Sequence, residues 1–331
     1  MNVVLLQIAL NLQELKQLNT EFPQFLFLSF PHATLQPIPT AHWPRVEILF
    51  GGRLSADELS LAPEIRWIHA PSTNLTRLCL KEITEKGNLL VTDTRDENIH
   101  QIGEYAIAGI LAFSKNLFLW RDANRHPGAL WDSKGRSTMW SLKERTLLQI
   151  GTGPAGREIA RQAAHFEMKV WGMDVKKTFF PYSQKNFSFE ELTEALPHAD
   201  VVSVSLPRAM EYKNILNVDT IRHLKEDAIL ILTGGTHAVT EEALLIAIHE
   251  RKLRGALLDA AYQTPVPTHS PIWSAPNLIL TPEVAPRPKD TEREAFRLFR
   301  TNLRHYVRGN FYEMRNLVDT AVDIAFSEDF T

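Results

Sequence analysis

Residues 147–174 read LLQIGTGPAGREIARQAAHFEMKVWGMD. An apolar run ends at Ile150 and passes directly into Gly151-Thr152-Gly153-Pro154-Ala155-Gly156. Ile159, Ala160, Ala163, Ala164 and Phe166 then recur at helical spacing, and a second apolar run, Val170-Trp171-Gly172-Met173, is closed by Asp174. The order is strand, glycine turn, helix, strand, acid, which is the context a G-x-G-x-x-G motif needs before it signals dinucleotide binding. Gly151 makes the tight turn, Gly153 lets a pyrophosphate approach the backbone, and Gly156 lets the helix pack closely on the sheet. The helix start, with Pro154 and Ala155 as its first residues, offers free N–H groups and the positive end of its dipole to the phosphates. Pro154 suits a first helical position because its missing N–H would have had no partner there. Asp174 stands where an acid bonds a ribose 2′-hydroxyl, which favours NAD over NADP. Lys176 and Lys177 argue weakly the other way.

Beyond Asp174 come Ala199–Leu206 closed by Pro207, Ile229–Leu232 closed by Thr233-Gly234-Gly235, Gly255–Asp259, and Leu278–Leu280 closed by Thr281-Pro282-Glu283. Short apolar runs with turn signals at their C-terminal ends read as buried parallel strands. Ligands of such sheets sit outside the C-terminal strand ends. Leu206, Pro207, Thr233, Gly234 and Asp259 therefore join the glycine turn and Asp174 as cofactor-binding candidates. Upstream, Val3–Ile8, Phe25–Phe30, Val46–Phe50, Ile65–His69 and Leu89–Thr92 alternate with helical segments and imply a second parallel sheet. Ser55, followed by Asp57 and Glu58, resembles a capped helix start. From Gln101 to Leu117 a helix is apolar on most of its surface and is expected to be buried. Its Ala106, Ala108, Gly109 and Ala112 would let another helix approach closely. The segment after it carries Trp120, Trp131 and Trp140, and reads equally as an aromatic arm that packs on a partner or as an ordinary surface arm.

The 331 residues are 44% hydrophobic and 23% charged, as in an ordinary globular protein. A net charge of −3 leaves no electrostatic footprint for nucleic acid or an anionic membrane. The single cysteine, Cys79, has no partner for a disulfide and no Cys/His neighbours for a metal site. The N-terminal MNVVLLQIAL reads as a first strand rather than a leader, and no apolar run is long enough for a membrane span. The expected address is the cytoplasm.

Nine stretches in order resemble the D-isomer-specific 2-hydroxyacid dehydrogenase family: Ile65–His69, Ile102–Ala108 (IGEYAIA), Gly151–Asp174, Ala199–Pro207, Glu242–Leu244, Gly255–Asp259, Pro271–Trp273 with Pro276-Asn277, Leu280–Pro282, and Asn316–Asp319. The resemblance implies an α/β fold, with a Rossmann-type doubly wound parallel sheet at 99–286 binding NAD. A smaller flavodoxin-like α/β domain, the substrate-binding one, is formed by both chain ends, 1–98 and 287–331. It further implies a small-molecule ligand in the interdomain cleft, held in part by the turn Ser72-Thr73-Asn74. It also implies a homodimer built around the helix from Gln101 and the Trp-bearing arm.

The family's chemistry uses three side chains. An arginine forks onto the substrate carboxylate, a histidine exchanges the hydroxyl proton, and a glutamate raises that histidine's pKa. By the resemblance these positions are Gly235, Thr264 and Glu283 here, and Ser72 stands where the family has glycine. All three catalytic side chains are replaced. A charge-assisted bond to a carboxylate is worth about 1.5–3 kcal/mol, and a positioned acid/base about 10²–10⁴-fold. Glu283 would repel an anionic 2-oxoacid about 4 Å away by roughly 4 kcal/mol at an effective dielectric near 20.

Three readings stand open. The chain is an NAD-binding protein of this family without the usual activity. Alternatively, it is an oxidoreductase with rearranged chemistry, in which Glu283 is the base, the substrate lacks a carboxylate, and Arg95, Arg208 or Lys213 replaces the anchor. The third reading is an ordinary NAD-dependent dehydrogenase acting on the CH–OH group of a 2-hydroxyacid. His69, His100 and His237 lie near loop positions that could face the ligand, although solvated or backbone-bonded histidines are the commoner case.

Overall fold

The computed structural model describes residues 2–31, 38–72, 75, 77–94, 99–123, 134–177, 179–206, 212–259, 262, 266–285 and 291–318. Thr73, Asn74, Arg95, Trp131, Pro207, Arg208, Thr264 and Asp319, all singled out above, lie outside the described residues. The chain divides into two compact units, 1–98 with 289–331, and 99–288.

The smaller unit is built on β1 (Asn2–Leu6), β2 (Phe25–Ser29), β3 (Val46–Phe50), β4 (Trp67–His69) and β5 (Leu90–Thr92). All pair in parallel, in the order β2-β1-β3-β4-β5, which is the flavodoxin-like order. Alternate side chains of a strand face opposite ways, and both faces are covered. Val3, Leu5, Val46, Leu49 and Ile68 enter one core with Trp43 and Ile83. Val4, Leu6, Ile48, Phe50 and Trp67 enter the other, whose lid is Phe296, Phe299, Leu303 and Tyr306 of the helix Thr291–Val307. The Trp67 and Phe299 rings stack with centroids 5.2 Å apart, so the end of the chain completes the fold begun at its start. The helices start as their sequences indicate. Asn11 and Ser55 each close a capping box, with Glu14 and Glu58 reaching back.

The larger unit carries β6 (Thr146–Ile150), β7 (Lys169–Asp174), β8 (Lys185–Ser188), β9 (Val201–Val204), β10 (Ala228–Leu232), β11 (Leu253–Leu258) and β12 (Leu278–Leu280). They form one parallel sheet in the order β12-β11-β10-β9-β6-β7-β8. The strand order reverses between β6 and β9, the switch point at which open sheets of this kind bind ligands. β6, β9 and β10 are buried at every residue because helices cover both faces. The helix Glu241–His249 packs Ala243, Leu244 and Ala247 on one face. The helices Ile99–Ser114 and Pro154–His165 pack Ile107, Ile110, Phe113, Ile159 and Ala163 on the other.

The helix expected over Gln101–Leu117 runs Ile99–Ser114, and Leu117 begins the next helix. Seven of the sixteen residues of Ile99–Ser114 are buried, so one face rather than the whole surface is covered. Its small residues serve this unit. A Cβ on Gly103 would meet Gln162 Nε2 at 2.4 Å, and one on Gly109 would meet Leu257 Cδ1 at 2.8 Å. Helix approaches helix at Gly103 and strand at Gly109, whereas Ala108 is exposed. No helix among the described residues is long and apolar enough to cross a membrane.

Candidate dinucleotide site

At the switch point Ile150 pairs with Val204, and the next residues part around the glycine turn. Gly151 has φ +89°, and a Cβ there would lie 2.2 Å from Ser205 O, so both the conformation and the space demand glycine. A Cβ on Gly156 would lie 2.0 Å from Gly151 O, which fixes how closely the helix rests on its own turn. Gly153 differs: a Cβ there meets nothing within 4 Å. That open face is where a phosphate can reach the backbone. Gly153 is also the N-cap of the helix Pro154–His165 and supplies no side-chain cap, so the first free N–H groups keep their donors for a ligand. From beneath, buried Gln149 braces the turn by donating Nε2 to the carbonyls of Ile150 and Gly151 at 3.0 and 3.1 Å.

Asp174 closes β7 beside this turn. Its Oδ2 accepts from Thr152 N at 2.8 Å and Thr152 Oγ1 at 2.7 Å, and its Oδ1 accepts from Val175 N at 2.9 Å. A carboxylate has about four acceptor sites, so capacity remains for a ribose hydroxyl. Lys177, a candidate for a 2′-phosphate, is held by Glu191 at 3.0 Å. The open glycine face, the uncapped donors and the acid at the β7 end together fit a dinucleotide.

The remaining strand ends gather the other candidates. Ser205 Oγ and Thr233 Oγ1 share a hydrogen bond of 2.8 Å across the ends of β9 and β10. Leu206 is buried against the next turn, where a Cβ on Gly234 would stand 3.5 Å from Leu206 O and one on Gly235 only 2.9 Å from Leu206 Cβ. Gly235 has φ +72°. Asp259, at the end of β11, is buried, and its carboxylate is turned onto the β12 loop. Oδ1 accepts from Thr281 Oγ1 at 2.6 Å and Val284 N at 2.8 Å, while Oδ2 accepts from Ala285 N at 2.7 Å. Tyr105 extends this chain to Thr281 at 2.7 Å. Burial holds the Asp259 carboxyl above its ordinary range, and the charge of Glu283 adds to the effect. Glu283 itself is exposed, at φ +54°, on the loop that Asp259 ties down. In the smaller unit, Ser72 is exposed in the turn after β4.

A model of the "D-isomer specific 2-hydroxyacid dehydrogenase, NAD binding domain" matches residues 107–285. The chain belongs to this dehydrogenase family. Its cofactor class is accordingly a nicotinamide dinucleotide. A glyoxylate reductase of Thermofilum pendens is 26% identical over 269 residues, 79% of this chain and 77% of that protein. Among solved structures, a D-isomer specific 2-hydroxyacid dehydrogenase family protein from Aeromonas salmonicida subsp. salmonicida is similar, with TM-score 0.78 and 25% identity. The likeness covers 96% of this chain and 99% of that one. D-mandelate dehydrogenase of Rhodotorula graminis shares the fold, with TM-score 0.80 at 19% identity over 96% and 97% of the two chains.

Two of the histidines singled out in the sequence have side-chain partners. His69 faces no ligand: it is wholly buried in β4, and its Nδ1 lies 2.7 Å from Thr92 Oγ1, which also accepts from Trp67 Nε1 at 2.9 Å. His100 bonds Glu158 Oε1 at 2.9 Å, where Arg161 and Gln162 converge on the same carboxylate and hold its pKa down to about 2. Sequence reasoning passed over Gln149, Tyr105 and Arg157. All three stand inside quoted stretches, Tyr105 in IGEYAIA and Gln149 and Arg157 in 147–174, but at positions to which those motifs give no role.

Proposed function

We propose that this member of the family binds NAD(H) in preference to NADP(H) and does not carry out the ordinary reduction of 2-oxoacids. When bound, the dinucleotide supplies a hydride donor or acceptor. The observation that carries the reading is a division along one sheet edge. The turn Gly151–Gly156 with Asp174 has an open face at Gly153 and an oriented carboxylate that would suit a dinucleotide, while the ends of β10, β11 and β12 present Gly235, Asp259 and Glu283. Gly235 offers no fork for an anionic substrate, Glu283 offers no imidazole to pass a proton, and the Asp259 carboxylate is committed to the β12 loop. Titration with NADH and NADPH, followed by an assay of hydride transfer over 2-oxoacids, tests both halves. Tight NADH binding without turnover supports the reading.

A second reading makes Glu283 the proton acceptor for a substrate without a carboxylate. Its support is that Glu283 is exposed on a loop pinned through Val284 N and Ala285 N. Turnover of a neutral ketone that Glu283→Gln abolishes selects this reading over the first.

The same proposal includes a homodimer. Leu117 and Leu119 are about half exposed, at 53% and 52%, on the short helix after Ile99–Ser114, and apolar side chains so placed suit a second copy. A solution mass near 37.7 kDa, that of one chain, contradicts it. We place the protein in the cytoplasm, where a lone thiol such as Cys79 is ordinarily reduced.

A further inference from the structure

The helix Pro154–His165 differs from its neighbours at its first turn. The helices Leu12–Glu21, Ala56–Ser60 and Glu241–His249 begin with side-chain caps from Asn11, Ser55 and Thr240 and carry acids in their first turns. Those acids answer the positive end of the helix dipole. Pro154–His165 has no cap, no acid in its first turn, and an arginine at the fourth position. Arg157 is not stray. Its Nε donates to Thr152 O at 2.8 Å, which draws the side chain back over the glycine turn, the direction in which helical side chains lean. Among the described residues no carboxylate pairs with Arg157, although Arg161, one turn later, forks onto Glu158. A cation fixed at the positive end of a helix is unfavourable until an anion arrives.

We propose that Arg157 is the charge partner of the cofactor pyrophosphate. Held by the Thr152 carbonyl, its guanidinium would offer the terminal nitrogens to a phosphate seated over Gly153. The glycine turn gives neutral donors only, and Pro154 removes one of those; the guanidinium supplies the full positive charge that this turn lacks. The proposal rests on the dinucleotide reading of this turn and adds to it the residue that neutralises the phosphates.

The test is calorimetric titration of the intact chain with NADH and ADP-ribose at low and high salt. The wild type is compared with Arg157→Ala and Arg157→Gln. Glutamine keeps a donor for the Thr152 carbonyl and loses the charge together with the terminal N–H groups. Both variants are expected to bind NADH and ADP-ribose about tenfold to a hundredfold more weakly, the loss of one charge-assisted pair. Their salt dependence should be shallower and their melting temperatures without ligand close to wild type. Dinucleotide binding by Arg157→Gln at wild-type strength and salt dependence overturns the proposal, because the arginine is then only a brace for the turn. A wild type with no affinity for NADH or NADPH overturns the reading of the site itself, and a binding wild type with indifferent variants overturns this proposal alone.

Discussion

Thr152 gives both its backbone N–H and its hydroxyl to one oxygen of Asp174, at 2.8 and 2.7 Å, so the glycine turn and the acid of β7 form one rigid unit. The acid proposed to read the ribose is thus oriented by the turn itself. Asp174→Asn should weaken NADH binding by about 1.5–3 kcal/mol, the worth of a hydrogen bond to a charged group, and narrow the preference over NADPH. Thr152→Val keeps the backbone bond and should lose about 1 kcal/mol, seen as a smaller NADH-induced rise in melting temperature. If NADPH stabilises the wild type and NADH does not, Asp174 has been misread.

His69 predicts an acid limb in stability. Burial depresses its pKa to about 3, against an ordinary value of 6.5, and its ring is enclosed by Phe50, Trp67 and Phe299. Above pH 6.5 the ring is neutral in both folded and unfolded chains and adds no pH dependence. Below it the unfolded chain takes up a proton that the fold refuses, so stability falls until the pH approaches 3. The loss should be about 1.4 kcal/mol per pH unit. Urea denaturation at a series of pH values should show this slope, and His69→Gln should flatten it. An unchanged acid limb in the variant would falsify the assignment.

Gly235 limits how far the family's chemistry can be restored. Its φ of +72° and the 2.9 Å approach of a Cβ to Leu206 mean that any side chain there is strained. Gly235→Ala should cost about 1–2 kcal/mol of stability. The triple variant Gly235→Arg, Thr264→Glu, Glu283→His should nonetheless gain measurable reduction of glyoxylate or hydroxypyruvate, because anchor, orienting acid and proton carrier return together. Single changes should gain little, since residues acting as a unit do not add. A folded, NADH-binding triple variant that stays inert shows that the strand ends have diverged beyond these side chains.

Asp259 should prove structural as well as local to the ligand. Asp259→Asn places an amide NH₂ among Thr281 Oγ1, Val284 N and Ala285 N, and at least one buried donor loses its acceptor. The expected loss is about 1–3 kcal/mol in urea denaturation. A wild-type midpoint in the variant contradicts this role.

The buried strands were legible because a sheet covered on both faces turns its strands into apolar runs. Lys185–Ser188 was not: as β8 it lies at the sheet edge, pairs only with β7, and buries Phe187 alone. The glycine turn could be read from its spacing, since Gly151 and Gly156 each answer a backbone oxygen within the same motif or on the adjoining strand. The place of His69 could not be read, because its surroundings are distant in sequence. The ring of Phe299 that closes over it comes from the far end of the chain. The left-handed turn at Gly235 was likewise hidden, since it depends on Leu206 from the neighbouring strand.

The central claim is that cofactor binding has outlived the family's ordinary chemistry. The most direct measurement is a stopped-flow trace of NADH oxidation by the wild type, at saturating glyoxylate and hydroxypyruvate, on protein whose NADH binding has first been established by calorimetry. The account predicts binding with no oxidation above the buffer rate. Turnover at an ordinary enzymatic rate of about 1–10³ s⁻¹ contradicts it.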